Sequence, residues 1–158
     1  GAGNRRALDE ALAPLVATGA DSDTAVALMD LDHFKHINDV HGHSTGDRVL
    51  VEFTALVRHL MRPGDRLFRF GGEEFVLVMP ATSEPDALHV AERVNTAVRQ
   101  GIRMRQGTVT VSIGLSLARM GDTVDAVLAR ADSALYAAKS GGRDRVIVPS
   151  CPPRRRPP

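Results

Sequence analysis

Acids, one lysine and a pair of glycines carry most of the chemical potential of this 158-residue chain. The densest group is Gly71-Gly72-Glu73-Glu74, set between the apolar runs Leu67-Phe68-Arg69-Phe70 and Phe75-Val76-Leu77-Val78-Met79. Those runs are rich in strand formers, so the stretch reads as two strands joined by a tight hairpin. Paired glycines are expected to supply the positive φ angles of a two-residue turn and to leave backbone uncovered for a closely approaching ligand. Glu73 and Glu74 leave the turn directly. Locally two readings stand: a solvated hairpin tip with two surface acids, or a ligand-facing turn whose carboxylates have a task.

A second group lies upstream, where the buried-strand pattern Thr24-Ala25-Val26-Ala27-Leu28-Met29 ends on Asp30-Leu31-Asp32. Alternation puts both aspartates on one side of an extended segment. Asp32 is expected to cap a helix from His33 to about Val40, which leaves Asp30 as the acid without a local duty. In that helix Phe34, Ile37 and Val40 or His41 form the apolar stripe, while Lys35 and Asn38 share another face. A lysine in a first turn opposes the helix macrodipole unless an anion sits there, and asparagine is a weak mid-helix residue. Each alone is ordinary on a solvated surface; together they suit a face that meets something phosphorylated. Asp47, after the polar turn Gly42-His43-Ser44-Thr45-Gly46, either complements a helix dipole or accepts hydrogen bonds from a base edge.

The elements that must position these residues follow from periodicity. A first helix is expected from Asn4 as cap to about Thr18, with Pro14 kinking or shortening it and Gly19 stopping it. After Asp47 comes a helix bearing Val49, Leu50, Phe53, Leu56, Val57 and Leu60, then the turn Arg62-Pro63-Gly64-Asp65 and the hairpin strands Arg66 to Phe70 and Phe75 to Met79. Ser83 or Thr82 caps a helix to about Gln100 with Leu88, Ala91, Val94 and Val98 inward and Arg93 outside that stripe. A second hairpin is expected from Ile102 to Gln106 and Thr108 to Leu117, with Gly114 marking a bulge or a close approach. Thr123 starts the last helix, Gly141-Gly142 closes it, and Val146 to Val148 forms a short strand. Lys139 and Arg143, at that helix end, complement its dipole with or without a ligand.

Composition narrows the class. The chain is 43% hydrophobic and 25% charged, which is ordinary for one globular domain with a full core. The net charge of +1 belongs to Arg154, Arg155 and Arg156; without them the body is slightly acidic, and with a single Tyr and no Trp it gives no footing for general nucleic-acid binding. No apolar run is long enough to span a bilayer, and the opening residues lack a signal-peptide segment. The one cysteine, Cys151, has no partner, which suits a reducing compartment. Residues 149–158 read as a Pro/Arg-rich tail with nothing to bury, leaving residues 1–148 as the domain.

The motifs DLDHFKHIND, GHSTGD, FRFGGEEF, VSIG and ADSALYAAKSGGR, in that order, make the chain resemble the GGDEF family of diguanylate cyclases across roughly residues 1 to 148. Its opening Gly1-Ala2-Gly3-Asn4-Arg5-Arg6 also resembles the family's start, as if cut just before a glycine. The resemblance implies an α+β fold with a central, mostly antiparallel five-stranded sheet flanked by helices, similar to polymerase palms and class III nucleotide cyclases. It implies condensation of two GTP into cyclic di-GMP with Mg²⁺ or Mn²⁺, across a homodimer of facing half-sites. It also implies a bacterial cytoplasmic setting and an upstream regulatory segment beyond this chain.

Matched onto this sequence, the resemblance gives Asp30, the Leu31 carbonyl and Glu73 to the metal ions, with Glu74 a further contact or a structural acid. Lys35 stabilises developing phosphate charge, and Glu73 is the favoured catalytic residue. Asn38 and Asp47 read guanine, His43 lies at a substrate position, Gly71 and Gly72 clear the nucleotide, and Lys139 and Arg143 grip the terminal phosphates. Arg62 and Asp65, with Arg93, match an inhibitory product site. A Glu stands where the family name has Asp, keeping the carboxylate. The rival implied by the same family is a domain without turnover that senses cyclic di-GMP or GTP.

Overall fold

The computed structural model describes residues 2–17 and 23–149. Along the chain lie α1 (Ala2–Ala17), β1 (Thr24–Leu31), α2 (Phe34–His41), α3 (His43–Leu60), β2 (Arg66–Arg69) and β3 (Glu74–Pro80). They are followed by α4 (Glu84–Gly101), β4 (Val111–Leu117), α5 (Val124–Ser140) and β5 (Val146–Ile147). The strands form one five-stranded sheet in the order β2-β3-β1-β4-β5. Every neighbouring pair is antiparallel except β4 with β5, which is parallel. The α+β architecture expected from the sequence is the one found.

All eight residues of β1 are buried, because the sheet is covered on both faces. Ala25, Ala27, Met29 and Leu31 pack with Phe34, Ile37, Phe53, Val94 and Val98 of the helices on one side. Val26 and Leu28 pack with Leu8, Leu12, Leu128 and Leu135 of α1 and α5 on the other. An unbroken apolar run is the sequence form of a strand buried twice. The two acids at its end, Asp30 and Asp32, are therefore buried as well, with 5% and 4% exposure, and buried carboxylates must find partners.

Several local expectations are corrected. Asn4 lies within α1 and Pro14 is accommodated inside it; the expected stop at Gly19 falls outside the described residues, as do Cys151 and the tail from residue 150. α3 begins at His43, so the glycine-rich turn shrinks to Gly42 at φ 85° and Asp47 sits in the second turn rather than opening the helix. Val40 is exposed, leaving the stripe of α2 to Phe34 and Ile37, while in α4 Ala87 is buried and the expected Leu88 packs half-buried against the same core. The second hairpin does not form: one bridge, Arg103 with Thr108, stands in its place. Residues 105–108 are exposed while Ile102 and Val109 on either side are buried, and β5 pairs with β4 at Ile113 and Gly114. Among the described residues, no helix is long and apolar enough to cross a membrane.

Candidate active site

The site is organised at the end of β1. Asp30 pairs across the sheet with Glu74 on one side and Ser112 on the other. Its Oδ2 accepts from Lys139 Nζ at 2.7 Å. That contact depends on Gly114: a Cβ there would fall 2.9 Å from Ala134 C and closer still to Ala131 O and Leu135 N. The close approach foreseen at Gly114 is thus the backbone of α5 lying against β4, which delivers the last turn of α5 to Asp30. Burial pushes the Asp30 carboxyl above the ordinary range, with Lys139 opposing and Glu73 and Asp32 adding to the rise. Glu74 is raised too, by burial first and by Asp30 next. Buried like charges in one place favour the neutral form until a cation joins them.

The hairpin is not the two-residue turn expected. Residues 70–73 connect the strands, and neither Gly71 nor Gly72 is among the glycines with positive φ. The Glu74 carbonyl accepts from Phe70 N at 2.8 Å and Gly71 N at 3.2 Å, and the Glu73 carbonyl accepts from Leu31 N at 3.3 Å. Arg69 clasps the loop by donating to Gly71 O at 3.2 Å and Gly72 O at 2.7 Å. A Cβ at Gly71 would sit 2.8 Å from Glu74 Oε2, whereas one at Gly72 would meet open space. Neither glycine is there for turn handedness.

Across the site, His33 enters α2 in the left-handed region at φ 54°, with no side-chain cap. Asp32 is not that cap. Lys35 is exposed in the first turn and holds no ion pair among the described residues. Asn38 lies over Gly46, where any Cβ would overlap its Oδ1, so the glycine of α3 makes room for the amide. Asp47 follows Gly46 and is exposed, as is His43 at the start of α3. Asn38 and Asp47, which the family resemblance assigns to guanine, therefore both lie at the α2–α3 junction.

Asp32 has a different duty. It accepts from Thr110 Oγ1 at 2.8 Å, Ser112 Oγ at 2.6 Å and the Asp144 N–H at 3.0 Å. Asp144 in turn accepts from Asn95 Nδ2 at 3.0 Å and Arg99 Nε at 2.9 Å. Sequence reasoning missed this network. Its one signal was Asn95, a polar residue on the inward stripe of α4 beside Val94 and Val98.

Arg62 and Asp65 meet in their own turn: the Arg62 N–H donates to Asp65 Oδ2 at 2.9 Å and its guanidinium to Thr82 Oγ1 at 2.5 Å. Arg93 lies on the exposed face of α4, in a groove with Leu60, His89 and Gln100, and no hydrogen bond or ion pair among the described residues joins it to either. Among the described residues, no three His, Cys, Asp or Glu side chains form a ready metal-ligand group. The cation beside Asp30 is Lys139.

The comparisons with known proteins bear on this arrangement. A family model described as diguanylate cyclase, GGDEF domain, matches residues 1–145. The chain belongs to the GGDEF family. Relatives of this GGDEF domain include diguanylate cyclase DgcM of Escherichia coli (strain K12), 42% identical over 126 residues that cover 80% of this chain and 31% of that protein. The response regulator PleD of Caulobacter vibrioides (strain NA1000 / CB15N) is 43% identical over 154 residues, covering 91% of this chain and 34% of that protein. The chain thus spans about a third of the length of these relatives. The crystal structure of the GGDEF domain of DgcB from Caulobacter crescentus, in complex with c-di-GMP, matches with a TM-score of 0.83 and 33% identity over 91% of this chain and 86% of that one.

Proposed function

We propose that this GGDEF domain is a diguanylate cyclase that joins two GTP molecules into cyclic di-GMP. In each of two steps the 3′-oxygen of one GTP forms a bond to the α-phosphorus of the other, the bond to the β-phosphate oxygen breaks, and pyrophosphate leaves. The hydroxyl proton passes to Glu73 or to water. Each domain holds one GTP, so two copies face each other as a homodimer. The observation that carries this reading is the gathering of Asp30, Glu74 and the Glu73 loop with Lys139 at the end of β1.

The donor set fits a hard divalent cation. Asp30 and Glu74 are oxygen donors raised by burial first, Asp30 also by Glu73 and Asp32 and Glu74 also by Asp30, a charge excess that a cation relieves. Asp30, the Leu31 carbonyl, Glu73 and Glu74 would hold Mg²⁺ or Mn²⁺. Bound there, the ions offset triphosphate charge and lower the pKa of the attacking hydroxyl. Lys35 stabilises charge developing on phosphate, with no carboxylate of its own to leave first. Asn38 and Asp47 recognise guanine, with His43 at the same end, while Gly72 leaves the nucleotide room. Lys139 and Arg143 would meet the terminal phosphates, and Lys139 lies beside Asp30, within reach of a group bound at that acid.

Arg62, Asp65 and Arg93 form a product-binding site that inhibits turnover. The Arg62–Asp65 turn supports this, since the Arg62 N–H orders the acid and Thr82 holds the guanidinium, two groups suited to guanine and phosphate edges.

Incubation with GTP and Mg²⁺ or Mn²⁺, at protein concentrations that favour dimers, is expected to yield cyclic di-GMP. Glu73→Gln should lower turnover at least about a hundredfold with the fold retained. No product from an artificially dimerised fusion would overturn the proposal, and cyclic di-GMP binding without turnover there would favour a sensor.

A further inference from the structure

The segment after α5 is held in an unfavourable backbone conformation. Gly142, Arg143 and Asp144 have φ of 114°, 62° and 47° in succession. Two consecutive non-glycine residues in the left-handed region do not stay there without restraint. Arg143 itself is exposed, and its N–H donates to Ala138 O at 3.0 Å, which does not by itself fix the residue that follows.

Arg145 Nε donates to Arg143 O at 2.9 Å, and beside it stands Asp144, gripped at both ends. Its N–H donates to buried Asp32, which is itself anchored by Thr110 and Ser112 of the β4 arm. Its carboxylate accepts from Asn95 and, through two nitrogens at 2.9 and 3.1 Å, from Arg99. Arg99 also donates to Asn95 Oδ1 at 2.6 Å, and Asn95 donates to Val111 O at 3.0 Å, so the grip is tied to the sheet. Satisfied networks of this kind hold a single arrangement.

We infer that Asn95, Arg99 and Asp144, together with Asp32, are positioning residues that hold the Arg143 segment in its left-handed conformation and so set the grip on the substrate triphosphate. The inference rests on the reading of Arg143 as a phosphate contact. It makes α4, a helix with no residue in the reaction, a determinant of GTP affinity. Release of Asp144 lets the segment relax toward the right-handed region, which redirects the Arg143 side chain.

The test uses Arg99, whose exposed side chain can be removed without opening the core. KM and kcat for GTP, and calorimetric affinities for GTP and GMP, are measured for Arg99→Ala, Arg99→Lys, Arg143→Ala and the double variant. Arg99→Ala is expected to raise KM about tenfold with kcat within about twofold, with GMP binding unchanged and partial rescue by Arg99→Lys. In the Arg143→Ala background it should change GTP affinity by less than about twofold, since its effect passes through Arg143. Equal losses for GMP and GTP, or the same loss with and without Arg143, would make the network merely structural and overturn the inference. Arg143→Ala binding GTP as the parent does would overturn the reading of Arg143 and the inference with it. Weakening by Arg143→Ala with no effect of Arg99→Ala would overturn the inference alone.

Discussion

Lys139 Nζ lies 2.7 Å from Asp30 Oδ2, so the acid at the end of the central strand is neutralised from the last turn of α5. The Asp30 side chain is 7% exposed and that of Lys139 35%, so the acid is buried while solvent reaches the lysine. Burial raises the Asp30 carboxyl and Lys139 is the main influence holding it down. Lys139→Met is therefore expected to cost about 1–2 kcal/mol in alkaline solution, less than a fully buried pair because solvent screens the lysine. The loss should shrink as pH falls through the raised Asp30 value, where the acid becomes neutral. Urea unfolding of parent and variant across pH checks this; a pH-independent difference would contradict it.

Glu74→Gln should stabilise the domain. The carboxyl is raised in the folded state by burial and by Asp30, so the fold binds this proton more tightly than the unfolded chain does. That contribution is complete below the unfolded value and is lost as pH rises through the folded one. Glutamine stays neutral throughout. Its Tm should exceed the parent's by a few degrees at pH 8 and match it in strong acid, while GTP turnover falls. A Tm gain that persists in acid would point to packing instead.

Gly46→Ala separates base recognition from folding. The new methyl would overlap Asn38 Oδ1 and must push that amide off α3. Preference for GTP over ATP, read as the ratio of their affinities, is expected to fall about tenfold to a hundredfold, the value of about 1–3 kcal/mol of lost pairing. An unchanged ratio with Asn38 displaced would remove Asn38 from the guanine site.

Arg62→Ala bears on product control. Without the guanidinium and its bond to Thr82, added cyclic di-GMP should inhibit at least about tenfold more weakly, the initial rate without product remaining near the parent's. Inhibition curves that superimpose would place product control elsewhere.

At Gly114 the expected cost is structural. An alanine there meets the backbone of α5 at Ala131, Ala134 and Leu135, which cannot yield as a side-chain tip can. Destabilisation of about 1–3 kcal/mol or more is expected in chemical denaturation. A neutral result would mean that α5 can lift away from β4 freely.

Much of the architecture was legible. The apolar run before Asp30 foretold a buried strand, and Ser83 and Thr123 cap their helices by accepting from Asp86 N and Ala126 N as their types suggest. The failures share a cause. The second hairpin was inferred from alternation around a glycine, but alternation does not fix which backbone segments pair: residues 102–109 keep one bridge, Arg103 with Thr108, and β4 pairs with β5 at Ile113 and Gly114. Asp32 was given the nearest local duty, a helix cap, when its partners lie 78, 80 and 112 residues away.

The sequence by itself determined the family, the inventory of acids, lysine and glycines, and the periodicities that make the helices and central strand, because these depend on residue type and short spacing. Only the tertiary structure decided that Lys139 sits on Asp30, that Asn38 rests over Gly46, and that Asp144 is tied to both Asp32 and α4. Such contacts join residues far apart in the chain, and local preference carries no term for them. They arise from the way two-sided burial of the sheet brings helix ends onto the end of β1.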